Sequence, residues 1–158
     1  MTAGLVREFA VDTRSFSGNS HVFALRGIID GVRDDHFMVI LHNCGKTEKQ
    51  VGELLGAGAD ALHVGNAVDI RVILDQVPDD IPVMGNLDPA GLFLSADNRT
   101  VYDRTTALLE ATRAYPNHVL SSGCDLPPGV PWENVQAFFA AAADYNRRLP
   151  LRPAKARE

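Results

Sequence analysis

The only two cysteines in the chain are Cys44 and Cys124. Each lies just beyond a short apolar run, Met38-Val39-Ile40-Leu41 in one case and His118-Val119-Leu120 in the other. Side chains alternate with period two along an extended chain, so His42 and Cys44 leave a strand end in the same direction. With Cys124 from a second strand end, they make one imidazole and two thiols around a point. That is the donor set of a catalytic zinc site with its fourth position open. Two other readings of the same residues stand beside it. They could be two small core thiols with a structural histidine, or a disulfide between Cys44 and Cys124.

The chemistry open to such a zinc is thiol activation. Two thiolates offset the charge of the ion, and a third sulfur arriving at the open position loses its proton at neutral pH. It then becomes a nucleophile toward an alkyl donor. Activation of water for hydrolysis is the competing use.

Other polar residues also collect at predicted strand ends. Asn86 and Asp88 sit in Gly85-Asn86-Leu87-Asp88-Pro89, where turn chemistry through Asx side chains is favoured over substrate contact. Asn66 follows Gly65, and Ser122 and Asp125 flank Cys124. These five residues are candidates for substrate binding or for supporting the ligands, Asp125 by orienting His42 or the Cys124 loop. His63, inside a predicted strand, reads as a core or interface histidine.

The elements that must position these residues follow a rhythm. Strands are predicted at 38–42, 61–64, 82–84 and 118–121, with helices over 46–56, 69–77, 100–115 and 131–144 between and after them. A further amphipathic helix begins near His21, carried by Val22, Leu25, Ile28, Ile29 and Val32. Alternating strand and helix implies an α/β fold with parallel strands. The first strand is not followed by GxGxxG, which disfavours a dinucleotide-binding sheet. A (β/α) barrel segment, with its chemistry at the C-terminal strand ends, fits better. Four units make half a barrel.

Geometry sets a condition. In a flat sheet the strands bearing Cys44 and Cys124 would stand roughly 14 Å apart. Zinc–sulfur bonds are only ~2.3 Å. The metal site therefore requires the sheet to curl.

The chain has 158 residues and a net charge of −5, enough for one domain and against a general nucleic-acid binder. The expected division is a poorly defined segment 1–20, a (β/α)4 half-barrel domain over 21–145, and a basic, flexible tail over 146–158. No apolar run nears the ~20 residues of a membrane span, and no secretory signal is visible. Two thiols beside polar strand ends suit a reducing compartment, so the expected location is cytoplasmic.

Taken together, His42-x-Cys44-Gly45, Gly85-Asn86-Leu87-Asp88-Pro89, Ser121-Ser122-Gly123-Cys124-Asp125-Leu126-Pro127-Pro128-Gly129 and Pro131-x-Glu133-Asn134 resemble the uroporphyrinogen decarboxylase superfamily. The resemblance runs over roughly residues 20–145 and is strongest to the corrinoid-dependent, coenzyme M-type methyltransferases. It implies the C-terminal half of a TIM-type (β/α)8 barrel, zinc held by His42, Cys44 and Cys124, and methyl transfer from a methylcobamide to a small thiol. A corrinoid protein or free cobamide is the implied partner. A half-barrel leaves open edges and an uncovered face, so a homo-oligomer or a separately encoded N-terminal half is expected. The alternatives are a non-catalytic half-barrel subunit or remnant acting as assembly partner, and a decarboxylase-like, tetrapyrrole-binding protein.

Overall fold

Five parallel strands in sequential order, β1 through β5, form the single sheet seen in a computed structural model that describes residues 7–10, 20–34 and 36–149. They are β1 (Arg7–Ala10), β2 (Val39–Asn43), β3 (Ala61–Val64), β4 (Val83–Leu87) and β5 (His118–Ser122). The intervening helices are α1 (Ser20–Val32), α2 (Val51–Gly56), α3 (Ile70–Leu74) and α4 (Asn98–Ala111), and α5 (Trp132–Arg148) follows the last strand. The architecture is α/β, with each strand laid parallel to the one before it.

Strand β1 lies in the segment that sequence patterning left undefined. It is four residues long and, among the described residues, pairs with β2 alone. A π-helical turn over Pro89–Leu94 is the other unforeseen element. Asp88 starts it, its carboxylate accepting from the Ala90 and Gly91 amides, and Pro89 follows at the first helical position. The helix expected over 46–56 begins only at Val51. Arg147 and Arg148 close the last turn of α5, where cations suit the helix dipole. The tail residues Arg152, Lys155 and Arg157 lie outside the described residues.

Two apolar clusters hold the layers together. Val39, Leu41, Leu62, Val64 and Val83 of the sheet pack against Ile29, Val51, Leu54, Ile70, Ile73 and Leu74 of the first three helices. Each such fully buried side chain contributes about 1.5–3 kcal/mol. A second cluster joins Leu87, Leu92, Phe93 and Val101, with Phe138 of α5 against it. Buried Asn134 ties α5 to the π-helical turn by donating to the Phe93 and Ala96 carbonyls at 2.8 and 2.9 Å.

The opposite face of the sheet is the concave one. Register places His42, His63, Met84 and Val119 in one row across it. Strand β3 is buried throughout, but β5 is not, and Met38 and Val119 are 47% and 41% exposed. The sheet is thus covered on its helix side, and its cover on the other face thins toward β5.

Candidate metal centre

The three residues singled out as ligands meet at one end of the sheet. Their ligating atoms all lie within 4.8 Å of one another. His42 Nε2 and Cys44 Sγ are hydrogen-bonded at 2.6 Å, and Cys44 Sγ lies 3.4 Å from Cys124 Sγ. A disulfide needs about 2.05 Å, so these are two separate thiols. Strands β2 and β5 are three spacings apart in the sheet, yet their thiols are in contact. The sheet curls.

Backbone stitching at successive strand ends produces this convergence. The Gly65 amide donates to the Asn43 carbonyl at 2.8 Å, and the Gly123 amide donates to the Leu87 carbonyl at 2.6 Å. Between them, Asn86 Nδ2 donates to the Gly65 and Val68 carbonyls at 3.1 and 2.8 Å. Glycine is required at two of these points. A methyl group on Gly65 would lie 2.8 Å from Cys44 Cα, and one on Gly123 would lie 2.6 Å from the Asn66 nitrogen. With only hydrogens there, the Cys44 loop rests on Gly65 and the Cys124 loop rests on Asn66.

Local turns fix each ligand. Asn43 is almost fully buried, and its Oδ1 accepts from the Gly45 amide at 2.7 Å and from the buried Thr47 hydroxyl at 3.2 Å. This Asx turn sets the direction in which Cys44 leaves β2. On the other side, the Ser122 hydroxyl donates to the Cys124 carbonyl at 2.8 Å. His42 is buried, Cys124 half-buried and Cys44 exposed, so the cluster opens to solvent at its thiol side.

The donor set suits zinc. Ligand atoms 2.0–2.3 Å from a tetrahedral ion stand about 3.5–3.8 Å from each other. The Sγ–Sγ distance of 3.4 Å is close to that value, and the 2.6 Å His42–Cys44 contact would have to open by about 1 Å. One neutral imidazole and two thiolates would hold the ion through His42 Nε2, Cys44 Sγ and Cys124 Sγ.

The remaining candidates occupy different places. Asn86 is committed to the two carbonyls it holds, and Asp88 to its helix turn. Asn66 lies on the rim of a cleft of about 750 Å³, shared with Asn86, Asp88, Thr100 and Arg104. Asp125 is exposed.

Four supports lie outside the predicted site residues: His63, Gly65, Gly123 and His118. His63 stacks on His42 with ring centroids 4.5 Å apart, and its Nε2–H donates to the Ser122 carbonyl at 2.8 Å. Gly65 and Gly123 read as ordinary turn glycines. The recurrence of glycine just after or near the end of each of the four predicted strands (Gly45, Gly65, Gly85, Gly123) is the signal that marks them. His118 opens β5. Its Nε2–H donates to the Gly85 carbonyl at 2.9 Å, and Nδ1 then accepts from the Thr112 hydroxyl at 2.8 Å. Burial pushes the His118 imidazolium below its ordinary pKa, against the upward pull of the Gly85 carbonyl.

The uroporphyrinogen decarboxylase (URO-D) family profile matches residues 14–145. The methylcobamide:CoM methyltransferase MtbA of Methanosarcina acetivorans is 26% identical over 118 residues, which are 75% of this chain and 33% of that protein. The uroporphyrinogen decarboxylase of Chlamydia caviae is 33% identical over 85 residues, or 54% of this chain and 25% of that one. In structure, a methyltransferase from Methanosarcina mazei superposes with a TM-score of 0.75 at 19% identity, covering 89% of this chain and 42% of the other. The chain thus spans about a quarter to a third of the length of the curated relatives it matches.

Proposed function

This chain belongs to the uroporphyrinogen decarboxylase (URO-D) family, and on that footing we propose that it serves zinc-dependent methyl transfer to a thiol. The observation that carries this reading is the meeting of His42, Cys44 and Cys124 within 4.8 Å. Relatives named as methyltransferase and as decarboxylase both match the chain, so names alone do not choose between them. A decarboxylase has no evident use for two thiols and an imidazole on one point. A thiol methyltransferase does.

When bound, zinc supplies Lewis acidity, under which a coordinated thiol loses its proton at neutral pH. The chain's part is to hold and aim. His42 contributes neutral imidazole from the buried side, while Cys44 and Cys124 contribute negative charge at the solvent side. An acceptor thiol therefore approaches from the Cys44 side. A methylcobamide, when bound, would supply an electrophilic methyl group and keep the bonding electron pair; the acceptor sulfur would take that methyl group and release its proton to solvent. Asn66, Asn86, Asp88, Ser122 and Asp125 support the ligands or border the acceptor's path.

The exposed Met38 and Val119 on the concave face, with β1 and β5 at the sheet edges, favour a covering partner. That covering is supplied by a second copy of this chain or by the other half of a barrel. Light scattering at low micromolar concentration reads this directly, and a monodisperse monomer counts against it.

Methyl transfer from methylcobalamin to a small thiol tests the activity, with the partner supplied if one is found. Product formation that disappears in Cys124→Ser supports the reading. Transfer that is unchanged by that substitution removes the metal centre from the reaction, leaving the chain as an assembly partner that keeps the fold.

A further inference from the structure

We infer that His63 is a positioning residue for the metal centre, clamping the strand that carries His42 to the loop that carries Cys124. The inference rests on the metal reading above and concerns how the three ligands are kept together. His63 is 8% exposed and sits directly beside His42 in the β2–β3 register, on the same concave face. Its ring lies against the His42 ring at 4.5 Å with the planes tilted by 38°. From there its Nε2–H reaches past β4 to the Ser122 carbonyl of β5, at 2.8 Å. Ser122 in turn holds the Cys124 carbonyl through its own hydroxyl, at 2.8 Å.

One side chain therefore touches both halves of the ligand set. Its ring face limits the rotation of the His42 imidazole, and its donor anchors the backbone two residues before Cys124. Any buried imidazole N–H takes an acceptor, and here that acceptor lies two strands away, on the strand that leads to Cys124. Met84, next in the same row, fills its position with an apolar chain. A part-buried donor and acceptor that satisfy each other also make the link costly to break. Supporting residues of this kind commonly change metal affinity by about 10–100-fold.

Three variants divide the two contacts. His63→Phe keeps a ring against His42 and loses the bond to Ser122. His63→Gln keeps a donor near the Nε2 position and loses the ring. His63→Ala loses both. Zinc affinity is measured by competition with a chromophoric chelator, and apo stability by urea unfolding in excess chelator. The expected result is a loss of about 10–100-fold in zinc affinity for H63A, with H63F and H63Q between it and the wild type. The visible spectrum of the cobalt-substituted protein should also shift differently in H63F and H63Q, because one frees the Cys124 side and the other the His42 side. A role limited to packing would lower apo stability and leave the affinity and spectrum of the folded protein unchanged. If H63A does not fold, the H63F and H63Q comparison decides the matter. Wild-type zinc binding with unchanged affinity and spectra in the folded variants overturns the role of His63 alone. Failure of the wild type to bind zinc overturns the metal reading and this role with it.

Discussion

Replacing Gly65 by alanine should damage the ligand set without touching a ligand. The added methyl carbon would sit 2.8 Å from Cys44 Cα, 3.1 Å from the Cys44 oxygen and 3.2 Å from its carbonyl carbon. Carbon atoms rest about 3.5 Å or more apart, so the nearest pair must open by about 0.7 Å. All three neighbours are backbone atoms, so no rotamer change relieves the clash. The Cys44 loop itself has to move, against the Gly65 bond to Asn43 and the Asx turn that holds Cys44. Overpacking of this kind costs about 1–3 kcal/mol. Metal ligands tolerate about 0.2 Å of error, so the displacement is roughly three times what the site accepts. Urea unfolding in excess chelator should show G65A destabilised by about 1–3 kcal/mol. Chelator competition should show its zinc affinity reduced by about tenfold or more. Gly52→Ala is the control. Gly52 lies in α2, and a methyl group there meets nothing within 4 Å. It should gain about 0.5–1 kcal/mol, as alanine does over glycine in a helix. Unchanged stability and zinc affinity in G65A would refute the argument that the loops meet because Gly65 has no side chain.

Further outcomes follow from the supports around the site. Burial lowers the folded-state pKa of His118 from its ordinary 6.5. The unfolded chain therefore takes a proton first as pH falls, and stability declines from about pH 6.5 downward, by up to ~1.4 kcal/mol per pH unit while only the unfolded state is protonated. The difference between wild type and His118→Gln in urea unfolding, measured across that window, should carry this slope, and a pH-independent difference would contradict it. Asn86→Leu removes the donors to Gly65 and Val68 and should cost about 1–3 kcal/mol. Unfolding at the wild-type urea concentration would sink that account of Asn86. Chelator treatment followed by mild oxidation should join Cys44 to Cys124 within one chain, given their 3.4 Å separation. Non-reducing mass analysis that finds two free thiols would argue against their proximity in solution.

Much of this molecule could be read from local pattern. The apolar runs at 38–42, 61–64, 82–84 and 118–121 mark β2 to β5 within a few residues, because strands buried against helices must be apolar and short. Strand β1 escaped because Arg7–Ala10 is four residues with no periodicity, and its pairing with β2 is a long-range fact. The π-helical turn at Pro89–Leu94 escaped because Asp88-Pro89 reads equally well as a simple turn. His42 and Cys44 share a direction by strand alternation, which sequence supplies. Their meeting with Cys124 depends on the curl of the sheet, which it does not. That curl comes from backbones touching at Gly65 and Gly123, where the informative feature is a side chain that is absent. His63 reads from sequence as a core or interface histidine for a related reason, since its partner Ser122 lies 59 residues away.

Metal content of the protein purified without chelator bears most directly on the central claim. The account predicts close to one zinc per chain, lost together in Cys44→Ser and Cys124→Ser, with both thiols of the wild type protected from alkylation until chelator is added. A preparation with no zinc, which takes none up and whose Cys44 and Cys124 alkylate freely from the start, would contradict it.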